Sequence, residues 1–144
     1  MIITRNGIDP ARFANERPKR NQLVFSSSPN RGLQFMVPNL KIMRQQIPDL
    51  ELHIYYGFDT WKAVATAWNN TAELEQIKQF EAMLPPIGQN QDGIFNHGRS
   101  SQREIADAFM RSKVWLYITG FSETSCITAM EAQAAGAVPV CSSL

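Results

Sequence analysis

Cysteine is scarce in this chain, and neither sign of charge dominates. Cys126 and Cys141 are the only two cysteines in 144 residues. That is too few for a disulfide scaffold, so a reducing compartment is the simpler setting. Fourteen Lys and Arg stand against thirteen Asp and Glu, a net charge of +1. The basic excess of a phosphate-backbone binder is missing, which argues against nucleic acid as a partner. No apolar run approaches the ~20 residues of a membrane span. The opening residues (Met1, Ile2, Ile3, Thr4, Arg5, Asn6) carry no apolar signal region. There is no internal repeat and no low-complexity tract. What is present, 44% hydrophobic and 19% charged residues, is ordinary globular composition at the length of one domain. These numbers lead us to expect a soluble, intracellular, single-domain protein.

Short β-branched runs alternate with segments of helical period. Leu23, Val24 and Phe25 read as a buried strand entering the loop of residues 26–30. Leu33, Met36, Val37, Leu40, Met43 and Ile47 then form an apolar helical face, kinked or restarted at Pro38 and ended by Pro48. Residues 50–56 (LELHIYY) favour a strand, followed by Gly57. A second helix follows Asn69 and Asn70, with Leu74, Ile77, Phe80 and Leu84 on one face and Asn70 and Glu73 at its cap. Residues 85–93 read as a loop and 94–97 as a short strand. Ser101 and Glu104 match a capping box, opening a helix with Ile105, Ala108 and Phe109 inward. Residues 114–118 (VWLYI) and 137–141 (AVPVC) complete the strands, with a helix from near Ser125 to Gly136 between them. Alternating strands and helices predict an α/β fold with right-handed crossovers and a mostly parallel sheet covered on both faces. Both ends, a strand fragment running to Asn6-Gly7 and a stop at Leu144 straight after a strand, look cut from something longer.

Ligands of open α/β sheets bind where the strands' carboxyl ends meet helix N-termini. The most informative such loop lies in residues 121–140, FSETSCITAMEAQAAGAVPV. A helix starting there offers the N–H groups of Cys126, Ile127 and Thr128 and the positive end of its dipole, a site suited to phosphate. Glu123 lies before it and Glu131 within it, eight positions on, a little over two turns. Two carboxylates at that spacing can line one cleft and accept hydrogen bonds from the hydroxyls of a sugar. Acidic pairs are common on helices, however, and spacing alone favours the plainer account: Glu123 as a first-turn acid, Glu131 as a solvated helix residue.

Glu123-x7-Glu131, followed by Ala132, Gly136 and Pro139-Val140, resembles the signature of retaining glycosyltransferases of family 4, in the donor-binding domain of their two-domain GT-B fold. Other pieces fall in the family's order. They are Asn6-Gly7-Ile8-Asp9 with Phe13, Asn30-Arg31-Gly32-Leu33 after the first strand, and Asn96-His97-Gly98-Arg99 before Ser101 and Glu104. The resemblance spans nearly the whole chain. It implies a Rossmann-like, doubly wound parallel sheet, the C-terminal half of a GT-B enzyme, truncated at its C-terminal end. Residues 1–144 would then be one nucleotide-sugar-binding domain. Glu123 and Arg31 would be the catalytic pair, the first on hydroxyls of the transferred sugar, the second neutralising the diphosphate where other enzymes use a metal. Glu131 would bind the ribose. Backbone around Ser125, Cys126 and Ile127, with Gly32, would hold the diphosphate, and Gly98 and Arg99 would lie near the base. The donor would be a UDP- or GDP-sugar, with no metal and no cofactor. The acceptor, a glycan or lipid, would bind a missing N-terminal domain. The parent enzyme would be cytoplasmic and peripheral to the inner membrane, and this chain by itself would transfer no sugar. The pattern departs at Phe25-Ser26, where many members carry Gly-Arg, and at Thr124-Ser125-Cys126, where a Gly-rich stretch is commoner.

Most of the remaining candidates read as structural, Arg31 excepted. Arg31 is misplaced for a helix dipole, which leans toward function. His53 sits within a strand pattern, His97 has no metal-ligand spacing, and Cys126 has no evident His base. Cys141 and Trp115 read as core residues, Trp61 and Trp68 as possible stacking residues, and Arg17, Lys19 and Arg20 as a solvated loop. Two other functions compete: a non-catalytic α/β partner-binding or regulatory module, favoured by Ser26, and, more weakly, a flavodoxin-like receiver, for which residues 26–29 supply no acids.

Overall fold

A computed structural model describes residues 7–123 and 125–142. The strand fragment expected before Gly7, together with Asn6 and Thr124, lies outside the described residues. Among the described residues, six strands and five α-helices follow one another as β1 (Gln22–Phe25), α1 (Leu33–Arg44), β2 (Glu51–Ile54), α2 (Asp59–Ala67), α3 (Thr71–Ala82), β3 (Asn90–Gln91), β4 (Ile94–Asn96), α4 (Gln102–Arg111), β5 (Val114–Tyr117), α5 (Ile127–Ala134) and β6 (Val138–Cys141).

β1 pairs with β2 in parallel, Leu23 opposite Leu52, and β2 pairs with β4 in parallel, Leu52 opposite Ile94. β3 closes that edge antiparallel to β4, with Asn90 opposite Phe95. The sheet is therefore mostly parallel, as expected, and mixed only through this antiparallel edge strand. Residues 85–93, read as loop, contain β3 because Asp92 (φ +51°) and Gly93 (φ +84°) turn the chain back onto β4. β5 and β6 form a second parallel pair, Val114 opposite Val138. β5 lies alongside β1, yet among the described residues the backbone link between the two sheets is confined to their start. There Arg20 bridges to Ser112, and its N–H donates to the Arg111 carbonyl at 2.7 Å.

Alternation along the strands divides the apolar residues between two faces. Phe25, Leu52 and Ile54 pack with Leu33, Met36 and Leu40 of α1, Trp61 of α2, and Ile77 and Phe80 of α3. Val24, Trp115 and Tyr117 point the other way, against Ile105 and Phe109 of α4 and Ala132 of α5. All four residues of β1 are buried, as a central strand covered on both sides requires.

Three helical expectations need correction. α1 does not restart at Pro38 but is one helix across it, since its fully buried Leu33, Met36 and Leu40 outweigh one lost backbone bond. It ends at Arg44 rather than at Pro48, leaving Ile47 exposed in the turn toward β2. α2 was not anticipated, because it buries only Trp61 and Ala65, too few positions to register as a periodic face. Asn69, in left-handed backbone at φ +50°, separates it from α3. The two caps read from sequence are present. Asn70 Oδ1 accepts from the Glu73 N–H at 3.1 Å, and Ser101 and Glu104 form a reciprocal capping box.

Candidate functional site

Two turns meet at the carboxyl ends of β1 and β5. After β1, Pro29 to Arg31 make a single 3₁₀ turn, and Gly32 follows with φ +125°. A Cβ on Gly32 would run into the Ile118 carbonyl oxygen and come within 3.7 Å of the Thr119 Cα. The turn can therefore press against the end of β5 only because residue 32 has no side chain. This approach carries Arg31 to Glu123, Nη1 to Oε1, at 3.2 Å. The guanidinium also lies over the Phe121 ring, 3.9 Å from its centroid. Both partners of the pair are partly exposed, which limits its own worth to about 1 kcal/mol or less.

Glu123 has a second partner. The Tyr117 hydroxyl donates to the same Oε1 at 2.9 Å. Tyr117 is the last residue of β5, and its ring stacks on Trp115 with centroids 5.1 Å apart. Burial, reinforced by the bond to Glu123 and opposed by Ser27 and Thr119, pushes its phenol above the ordinary range. Tyr117, Phe121, Glu123 and Cys126 line a cavity of ≈ 290 Å³ with Thr119, Cys141 and Ser142. Ser142 closes one side, accepting from the Thr119 N–H at 3.1 Å and donating to the Thr119 carbonyl at 2.6 Å.

α5 starts at this cavity. Ser125 is exposed in the loop before it, Cys126 is its N-cap residue, and Ile127 is its first residue. Burial raises the Cys126 thiol, while the N–H groups of Ala129 and Thr128 pull it the other way. The thiol is thus no activated nucleophile, in keeping with its lack of a His base. Glu131 lies further along α5, half-buried, and does not line the Glu123 cavity. Desolvation raises its carboxyl, with Arg12 acting against the shift. Among the described residues no hydrogen bond or ion pair ties Glu131 to the Arg31–Glu123 cluster.

A second cleft, ≈ 170 Å³, opens at the ends of β1, β2 and β4. Ser26, Tyr55, Tyr56, Gly57, Asp59 and Arg99 contribute to its walls. Gly98, in left-handed backbone at φ +66°, donates its N–H to Asn96 Oδ1 at 3.1 Å and seats Arg99 at the rim. Beneath lies a histidine pair that the sequence did not reveal. His53 Nδ1 and His97 Nε2 share a hydrogen bond at 3.0 Å, and Glu51 sits 3.1 Å from the other His53 nitrogen. Phe95 stacks on His53, and Tyr55 on His97, with centroids 4.4 and 4.3 Å apart. Desolvation lowers both histidines.

The structure thus brings Arg31, Gly32 and Glu123 together, sets Cys126 beside them, and keeps Gly98 and Arg99 at the neighbouring cleft. Tyr117, Phe121 and Tyr55 were missed by sequence reasoning. The available signal was an aromatic at a strand's carboxyl end, Tyr117 closing β5 and Tyr55 straight after β2, whereas Phe121 lies in the loop beyond β5 and offered none. The basic cluster is more than a solvated loop: Arg17 pairs with Asp107 at 2.7 Å, and Lys19 Nζ donates to the carbonyls of Ser112 and Ala135 at 2.9 and 2.7 Å. Cys141 is exposed, not core, because β6 is open to solvent at all four residues. Trp68 is likewise exposed, whereas Trp61 and Trp115 are buried.

No family model and no curated protein matches this sequence. Among solved structures, the chain is similar to a GtfA/B complex, at 18% identity and a TM-score of 0.58 over 86% of this chain and 21% of that one. It is also similar to the pneumococcal O-GlcNAc transferase GtfA in complex with UDP and GlcNAc, at 19% identity and a TM-score of 0.55 over the same shares. The chain spans about a fifth of the length of these structures. The likeness is one of fold: this is an α/β unit resembling part of a glycosyltransferase of the GT-B type.

Proposed function

We propose that the chain is the donor-binding domain of a retaining glycosyltransferase, which moves a sugar from a nucleoside diphosphate to an acceptor hydroxyl. The observation that carries this reading is the meeting of Arg31 and Glu123 at 3.2 Å beside the N-terminal end of α5. A cation for a leaving diphosphate, a carboxylate for sugar hydroxyls and the N-terminal end of a helix then share one site. In this reading Arg31 supplies the countercharge that a metal supplies elsewhere. The backbone of Ser125, Cys126 and Ile127 holds the diphosphate, Glu131 the ribose, and Gly98 and Arg99 border the base. The strands, taken across as β3-β4-β2-β1 and then β5-β6 with helices on both faces, support a Rossmann-like doubly wound arrangement. We assign the domain to the C-terminal half of a GT-B enzyme of family 4, with the acceptor glycan or lipid held by a second domain and the parent enzyme in the cytoplasm. UDP is the first donor nucleotide to test, since a structure of similar fold holds it. A non-catalytic binding module is favoured by one feature, Ser26 at the cleft where an Arg would strengthen phosphate binding.

Thermal unfolding of the chain with UDP, GDP, dTDP and ADP tests the reading, with Glu131→Ala measured alongside. Ligand at a hundredfold its Kd adds ~2.7 kcal/mol, several degrees for a domain of this size. One diphosphate should raise the Tm of the wild type, and Glu131→Ala should lose that rise. No rise with any of the four at millimolar concentration would refute donor binding.

A further inference from the structure

Glu123 is held at one oxygen by two tethers of different character. Arg31 reaches it from the β1–α1 turn, through a charge pair whose guanidinium is about one-third exposed and rests on the face of Phe121. Tyr117 reaches it from β5, the strand that leads into the Glu123 loop, through a neutral hydroxyl on a ring packed into the core. An arriving diphosphate would act on these two tethers unequally. It carries more negative charge than a carboxylate and accepts more hydrogen bonds, so it competes for the guanidinium. It has no comparable pull on a phenol anchored by stacking. Without Tyr117, departure of Arg31 would leave Glu123 unanchored among the described contacts and beside a second anion.

We propose that Tyr117 is a positioning residue, whose hydroxyl keeps the Glu123 carboxylate in place while Arg31 passes from that carboxylate to the diphosphate of an incoming donor. This rests on the donor-binding reading above and adds an order of events to it. In the empty site Glu123 is the countercharge of Arg31. In the occupied site the diphosphate takes that part, and Glu123, still bonded to Tyr117, is free to accept from the sugar. Affinity for the diphosphate therefore carries the cost of breaking one ion pair, and Tyr117 reduces that cost.

Calorimetric titration of the chain with UDP and GDP, across wild type, Glu123→Gln, Tyr117→Phe and the double variant, tests the exchange. Glu123→Gln frees Arg31 and should tighten diphosphate binding roughly fivefold. Tyr117→Phe keeps the stacked ring and should weaken it by about the same factor, the scale of one hydrogen bond to a charged group. The double variant should match Glu123→Gln alone, because a neutral amide does not compete for Arg31 and needs no anchoring when the guanidinium moves to the diphosphate. An equal loss on Tyr117→Phe in both backgrounds would reduce Tyr117 to a packing role and overturn the proposal, as would no loss in either. If Arg31→Ala binds a nucleotide as well as wild type, donor binding survives and the exchange is refuted. If neither wild type nor Glu123→Gln binds UDP or GDP, the donor-binding reading itself falls, and this proposal with it.

Discussion

Gly32→Ala is the most telling single change to make. Two costs add at this position. The backbone sits at φ +125°, which an L side chain rarely adopts, and such strain costs roughly 1–3 kcal/mol. The new Cβ also meets the Ile118 carbonyl, a backbone atom at the end of β5 that cannot swing aside. Overpacking of that kind typically costs another ~1–3 kcal/mol. Gly88 supplies the control: its φ is +82°, and a Cβ there meets nothing within 4 Å. Gly88→Ala therefore reports strain without the clash, about 1–3 kcal/mol. At roughly 2–4 °C per kcal/mol for a chain of this size, Gly32→Ala should lower the Tm by about 5–20 °C, well beyond Gly88→Ala. Thermal unfolding followed by circular dichroism measures both. The same variant should weaken nucleotide binding, since relieving the clash carries the whole turn, with Arg31, away from the start of α5 where the diphosphate would sit. Equal Tm losses for the two alanine variants, or a loss under 2 °C for Gly32→Ala, would refute the close approach of the two turns.

Burial lowers His53 and His97 from the ordinary histidine value, so each contributes stability in full above about pH 6.5, lost as pH falls through its lowered folded value. Glu51 favours protonated His53 while Arg20 opposes it, and Glu104 favours protonated His97. The Tm should fall on acidification from pH 7.5 toward 5, and His97→Gln should flatten that slope; an unchanged slope would contradict the pairing. Lys19→Met should cost about 1–3 kcal/mol in urea unfolding, because it leaves the Ser112 and Ala135 carbonyls without their shared donor; a neutral result would make those bonds incidental.

Local signals were legible where the physics is local. The Ser101–Glu104 box and the Asn70 cap were visible because a side chain and the N–H three residues on belong to one turn. β1 and β5 were visible as apolar runs. α2 and the break at Arg44 were not, since their limits depend on which residues the sheet covers. The site divided in the same way. Arg31, Gly32 and Glu123 were singled out from order and resemblance, but Tyr117 was not, because nothing near it in sequence says which way its hydroxyl points.

The order of the strands and helices other than α2 and β3, the caps and the identity of the charged residues at strand ends are properties of the sequence by itself. Each depends on contacts within a few residues. Tertiary structure alone decided that β5 lies against β1, that Gly32 backs onto Ile118, that Arg31 and Tyr117 converge on one oxygen of Glu123, and that His53 meets His97 across two strands. These are pairings between residues up to 92 positions apart. Their register follows from which faces of the sheet the helices bury, a balance of packing over the whole chain that no local window contains.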